Sequence, residues 1–180
     1  MPHLEEIKQS STEIYDGIVV HLFRDTVTLP NGKDAVREVI RHVGAVCVVP
    51  LTEQDEVVCV RQFRYPHGCV LLEIPAGKLD CPTEDRPSAA RRELREETGI
   101  VWEDFEEVSR TVRDCYATIF YSYLCTVDWP KDAITMQAGE TEGYEWLSEE
   151  EFIELLNSGR MIPGQPERME GWFRKMGYLK

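Results

Sequence analysis

Glu93, Glu96 and Glu97 stand within the run Arg92-Glu93-Leu94-Arg95-Glu96-Glu97-Thr98-Gly99. At 3.6 residues per turn, positions i, i+3 and i+4 share one helical face, so a helix here projects three carboxylates together. Alone on a surface such a trio repels itself. A cluster of hard oxygen donors on one rigid element suits Mg²⁺ or Mn²⁺, with water and phosphate oxygens completing the shell. The competing reading is a solvated acidic face, because charge runs usually face water. The context of the run decides between them.

Pro87 to Thr98 has no glycine or internal proline and is dense in Ala, Arg, Glu and Leu, which predicts the required helix. Pro87 suits its first turn, Asp85 or Arg86 its cap, and Gly99 its end. Ahead of it lie apolar strand signals: GAVCVVPL from Gly44, a turn over Thr52 to Asp55, EVVCVRQFRY, and CVLLEIPAG after Gly68. Residues 14–23 and 35–42 read as strands, with Leu29-Pro30-Asn31-Gly32 as a turn between them. Downstream, residues 105–110, 119–127 and 144–147 are strand-like. Ser148 with Glu151 forms a capping-box signal for an acidic helix through Leu156, and Gln165 to Met176 reads as a final helix. Mixed strands with a few helices predict an α/β or α+β fold in layers. A small N-terminal antiparallel β-sheet over residues 1–42 precedes a main domain over 43–180.

The 180 residues carry 20 basic and 33 acidic side chains, a net charge of −13. That excludes a nucleic-acid surface, which needs clustered Lys and Arg. It also leaves an anionic substrate facing an acidic protein, a conflict that carboxylate-held divalent metal resolves by inverting the local charge. No apolar run approaches the roughly 20 residues that cross a bilayer, so no membrane partner is expected. The N-terminal MPHLEEIKQSST lacks the pattern of a secretory signal, and the expectation is a cytoplasmic protein. Cys47, Cys59, Cys69, Cys81, Cys115 and Cys125 show no CxxC pair or zinc spacing, which predicts free thiols.

The passage IPAGKLDCPTEDRPSAARRELREETGI carries Gly77, Glu84, Arg92, Glu93, Leu94, Glu96, Glu97, Gly99 and Ile100. It resembles the box of the Nudix superfamily: a glycine, a spacer and a glutamate, a second spacer, then Arg-Glu-U-x-Glu-Glu-x-Gly-U with U aliphatic. One departure stands out. Six residues separate Gly77 from Glu84 where the family has five, so the loop LDCPT carries an insertion and the placing of Glu84 is open. A surface insertion of this kind is cheap. The resemblance implies a Nudix-type α/β/α sandwich with a mixed sheet. It implies Glu93, Glu96 and Glu97 as metal ligands, joined by the main-chain carbonyl of Ala76, with Mg²⁺ as cofactor and Mn²⁺ as a substitute. Arg92 and Glu84 would brace the loop, and Gly77 and Gly99 would serve the backbone.

The reaction that goes with this set is hydrolysis of the pyrophosphate bond of a nucleoside diphosphate linked to X. Within the superfamily, LPNGK, VREVIRHVGAV and VVCVRQFRYPHGCVLLEIPAGKL resemble the ADP-ribose and nucleotide-sugar pyrophosphatases. That likeness implies ADP-ribose or a related nucleotide sugar as substrate, AMP and ribose 5-phosphate as products, and a homodimer made through the N-terminal sheet. It makes Arg37 and Arg64 candidates for the diphosphate or terminal ribose, against the alternative that each forms an ion pair. Glu73 either pairs with an arginine or faces the site. The general base is expected from the loop in QAGETEGYEW, as Glu140 or Glu142, with Glu93 and Glu97 as the other catalytic carboxylates. After the box, SRTVRDCYATIFYSY lacks the proline of that subgroup and offers Tyr116, a feature associated with dinucleoside polyphosphate hydrolases. Those substrates, nucleoside triphosphates, and a non-catalytic nucleotide sensor are the alternatives. A Nudix-fold isomerase has no supporting cysteine or histidine arrangement.

Overall fold

The computed structural model describes residues 4–113 and 118–179. The chain divides into two compact units, Met1–Val43 with Val112–Ile119, and Gly44–Thr111 with Phe120–Lys180.

The smaller unit is an antiparallel meander of β1 (Ile7–Asp16), β2 (His21–Thr28) and β3 (Asp34–Arg41). Asp16 faces His21 across the first pair, and Asp34 faces Thr28 across the second. The strand expected over 14–23 is therefore two strands with a reversal at Gly17. The Gly17 N–H donates to the Val20 carbonyl at 2.9 Å, and Asp16 pairs with the His21 ring. Asp-Gly is a strong reversal signal, and it outweighs the β-branched run that follows it. Ile7, Ile14, Tyr15, Ile18 and Val36 are exposed on this unit.

In the larger unit a mixed sheet has the order β10-β5-β4-β9-β8, with β6 beside β5 and β7 beside β4. The strands are β4 (Ala45–Leu51), β5 (Val57–Arg64), β6 (Cys69–Glu73), β7 (Ala76–Lys78), β8 (Glu106–Arg113), β9 (Thr118–Thr126) and β10 (Thr141–Leu147). β4 runs parallel to β9 and is buried along its whole length, which explains its unbroken apolar sequence. Cys47, Val49 and Leu51 from one face of β4 join Phe152, Leu155, Met169, Phe173 and Tyr178 in the main core. Side chains alternate along a strand, so Val46 and Val48 face the other side, where α1 (Arg86–Thr98) lies against β4 and β7.

α2 (Glu149–Ser158) begins in a complete capping box, with Ser148 accepting from the Glu151 N–H and Glu151 accepting from the Ser148 N–H. The final helix is broken, where the sequence predicts a single one: α3 (Gln165–Arg168) and α4 (Glu170–Met176) meet at Met169. The Arg168 carbonyl accepts from the Ser109 and Thr111 hydroxyls, which diverts it from helix continuation, and Met169 is fully buried. Among the described residues, no helix is long and apolar enough to cross a membrane.

Candidate active site

α1 starts where Asp85 accepts the Ser88 N–H at 3.0 Å, and Pro87 occupies its first turn. It stops at Gly99, whose φ of 76° is left-handed and whose N–H bonds the Arg95 carbonyl at 2.8 Å. Between these caps Glu93 and Glu97 turn toward β7, against Gly77 and the Ala76 N–H, and Glu96 stays open to solvent.

Each carboxylate has a different environment. Glu97 is 4% exposed, and it accepts from Gln62 Nε2 at 2.7 Å and from the Ala76 N–H at 3.2 Å. Burial pushes its carboxyl up to about 8 against those two hydrogen bonds, and the charges of Glu93 and Glu73 add to the rise. Glu93 is also buried, and its Oε1 accepts from Arg92 Nη1 at 2.6 Å; burial raises its pKa in spite of that partner. Glu96 is the open one, with Arg92 at 3.4 Å.

Gly77 on β7 lies directly against the Glu93 carboxyl. A Cβ built there would lie 2.1–2.2 Å from the Glu93 carboxyl atoms, so only a hydrogen leaves that carboxylate its place.

Arg92 ties the helix to the loop before it. It reaches Glu84 at 3.2 Å, Asp80 at 3.5 Å and the Lys78 carbonyl at 3.0 Å. Glu84 in turn accepts the Asp80 N–H at 2.6 Å. Desolvation works against the Glu84 charge, but Arg92 and the Asp80 N–H hold its pKa below the usual value. The extra loop residue is absorbed by a turn in which the Glu84 N–H bonds the Cys81 carbonyl at 3.1 Å.

β5 supplies the opposite wall. Gln62 and Arg64 lie two residues apart on one face of the strand. Gln62 meets Glu97, while Arg64 holds the buried Glu73 through both carboxylate oxygens. The Arg64 side chain keeps 36% of its surface exposed. Glu73 raises its pKa most, and the charges of Glu97 and Glu140 contribute, so Glu140 stands within electrostatic reach of Arg64. Glu140 ends the turn before β10. Glu142, expected in that loop, instead lies within β10, at the register irregularity between Thr141 and Gly143. Thr141 pairs with Gln62, and its hydroxyl is buried without a hydrogen-bond partner.

Arg37 belongs to the smaller unit, where Glu6 accepts from its Nε at 3.0 Å and from its Nη2 at 2.6 Å. Tyr116 lies outside the described residues. A cleft of about 290 Å³ beside α1 is lined by Arg91, Arg95, Val101 and Trp102 and reaches the site at Glu84 and Arg92; Glu93, Glu96 and Glu97 do not line it. Two residues escaped the sequence reading, Gln62 and Thr141. A glutamine at the third-last position of an apolar strand was the one available signal.

The residues fit a hard divalent cation, although among the described residues no three acidic, imidazole or thiol groups already converge as a ligand set. The carboxyl oxygens are turned toward Arg92, Gln62 and the Ala76 N–H instead. The donors are all hard oxygens, and Glu97 is hydrogen-bonded only by neutral groups. Gly77 leaves space at Glu93, and the orphaned Thr141 hydroxyl calls for a polar ligand or water.

The family model of the NUDIX domain matches residues 41–168. The chain is 34% identical over 157 residues to an ADP-ribose pyrophosphatase of Bacillus subtilis (strain 168), a match covering 87% of this chain and 80% of that one. It is 47% identical over 107 residues to a methanol dehydrogenase activator of Bacillus methanolicus, covering 59% of this chain and 57% of the relative. Among solved structures, the crystal structure of an ADP compounds hydrolase superposes with a TM-score of 0.75 at 17% identity, over 98% of this chain and 99% of the other.

Proposed function

The chain belongs to the Nudix hydrolases, and from that premise we propose that it hydrolyses the pyrophosphate bond of ADP-ribose or a related nucleotide sugar, releasing AMP and ribose 5-phosphate. The observation that carries this reading is the buried acidic pair Glu93 and Glu97, set on a capped helix against a glycine that alone makes room for it. The likeness to the Bacillus subtilis ADP-ribose pyrophosphatase favours the substrate.

In this proposal Glu93, Glu96, Glu97 and the Ala76 carbonyl hold Mg²⁺, with Mn²⁺ able to replace it. When bound, the ion activates water and neutralises phosphoryl oxygens. The protein's own groups do the rest. Arg92 and Glu84 keep the loop and helix in register. Arg64, locked by Glu73, keeps an exposed edge of its fork for a phosphoryl oxygen. Arg37, exposed beside Glu6, is the second anion-binding candidate. Glu140 is the preferred general base, because it is exposed and its field reaches Arg64; Glu142 is the alternative.

We further propose a homodimer formed through the apolar side chains exposed on the three-stranded unit. Static light scattering at micromolar concentration should give twice the chain mass. A cytoplasmic location accords with the free thiols of Cys47, Cys59, Cys69, Cys81 and Cys125.

The test is a panel of ADP-ribose, diadenosine polyphosphates and nucleoside triphosphates with Mg²⁺ and product identification. AMP with ribose 5-phosphate supports the proposal, and turnover of triphosphates alone overturns the substrate. Undiminished hydrolysis after EDTA treatment overturns the metal.

A further inference from the structure

Of the three helix carboxylates, Glu93 and Glu96 both take a charged partner in Arg92. Glu97 does not. Its two oxygens are addressed by two neutral donors from two strands, Gln62 Nε2 on β5 and the Ala76 N–H on β7. Gln62 is itself 5% exposed, and it lies across the ladder from Thr141, the residue after Glu140. So the amide stands at the point where the carboxylate helix, the strand of Arg64 and the end of the 137–141 turn come together.

The chemistry of the residue type matters here. A glutamine orients a buried carboxylate by donation without cancelling its charge. Lysine or arginine at this place would neutralise Glu97 and compete with an incoming cation, whereas an aliphatic side chain would leave Oε1 buried and unpaired. The 2.7 Å bond sets the rotation of the carboxyl group about its last torsion, a broad and soft one for glutamate, and the Ala76 N–H sets the other oxygen. Partners of this kind around a ligating side chain commonly govern metal affinity and activity by about 10- to 100-fold.

We infer that Gln62 is a positioning residue for the hydrolytic reaction: it fixes the Glu97 carboxylate, uncompensated and correctly turned, for a divalent cation. This rests on the reading of Glu97 as a ligand. Gln62 is assigned no contact with substrate, and it acts only through Glu97.

The test uses the full chain with Gln62→Met, which keeps an unbranched side chain of similar length and removes the donor. Mn²⁺ alone is titrated into substrate-free protein and free Mn²⁺ is read by electron paramagnetic resonance, beside kcat, KM and Tm. Gln62→Met should weaken Mn²⁺ binding about tenfold and lower kcat by a similar factor, with KM for ADP-ribose within about twofold. In a Glu97→Gln background the same change should leave both within about twofold, because the group it acts through is gone. Gln62→Leu repeats the measurement should the methionine variant fold poorly. An unchanged Mn²⁺ affinity in a folded variant overturns the inference, as does an equal loss in the Glu97→Gln background. If wild-type protein neither binds Mn²⁺ nor hydrolyses ADP-ribose, the ligand reading falls first and takes Gln62 with it.

Discussion

Replacing Gly77 with alanine isolates the space around one carboxylate. The position does not use a left-handed φ, so the backbone accepts alanine, and the whole perturbation is the added methyl. That methyl would meet Glu93 Cδ and both oxygens at 2.1–2.2 Å, while ordinary contact begins near 3.4 Å. The carboxyl must therefore retreat by roughly 1.2 Å. It is the far end of a flexible side chain, so retreat is possible, and the stability cost should sit at the low end of overpacking, about 1 kcal/mol. For a chain of this size that is a fall in Tm of about 2–4 °C. Function should suffer far more. A displacement of about 1 Å in a catalytic group costs on the order of 100-fold, and moving Glu93 also pulls on its bond to Arg92. Steady-state hydrolysis of ADP-ribose with Mg²⁺, alongside a thermal melt, checks both numbers. A folded Gly77→Ala protein with wild-type kcat would refute the reasoning, because it would mean that the position of Glu93 is immaterial.

Three further outcomes follow from local physics. Glu97→Gln should lose about 100-fold or more in kcat while Tm holds within a few degrees, since burial pushes this carboxyl up to about 8 and the amide replaces a group that is largely neutral at pH 7 in the metal-free protein; retained turnover would remove Glu97 from the proposed ligand set. Ser148→Ala deletes the acceptor for the Glu151 N–H in the α2 capping box and should cost about 1 kcal/mol, seen as a Tm about 2–4 °C lower with kcat unaltered; an unchanged melt would deny the cap its role. Alkylation by iodoacetamide at pH 8, mapped by mass spectrometry, should reach Cys81 well before Cys59. The Thr83 hydroxyl and nearby backbone groups lower the exposed Cys81 thiol, which enlarges its thiolate fraction at that pH, and burial raises Cys59; equal rates would contradict this.

What the sequence made legible was whatever repeats within one turn or one strand. The i, i+3, i+4 spacing of Glu93, Glu96 and Glu97, the Asp85 and Gly99 caps and the Ser148 box are all local, and a helix of known pitch displays them without tertiary information. The reversal at Gly17 was readable from Asp-Gly but was hidden by the β-branched residues on both sides. The break at Met169 was not readable, because its cause is a pair of hydroxyls on β8, nearly sixty positions away. The site's polar partners fall in the same class. Gln62 meets Glu97 across 35 positions, and Gln165 bonds the Ile74 backbone across 91. Arg64 with Glu73 is an intermediate case, since two neighbouring strands joined by a short turn can bring them together, yet the sequence left Glu73 open between pairing and facing the site.

In the proposed reaction, the two arginines Arg64 and Arg92 explain why an acidic protein acting on pyrophosphate would call for an external cation. Arg92 is shared among Glu84, Glu93, Glu96 and Asp80, and Arg64 is engaged through both oxygens of Glu73. Their charge is therefore largely spent within the pocket, and neither arginine by itself offsets a diphosphate brought into a chain of net charge −13. Of the three helix carboxylates Glu93, Glu96 and Glu97, Glu97 is the one held by uncharged donors, in a place where burial makes its ionised form costly. Such a group gains most from a divalent ion, because the ion supplies the charge that burial withholds and still presents excess positive charge to phosphate. On this view the neutral amide of Gln62 and the missing side chain of Gly77 matter as much as the glutamates, since one leaves Glu97 uncompensated and the other leaves Glu93 room to stand beside it.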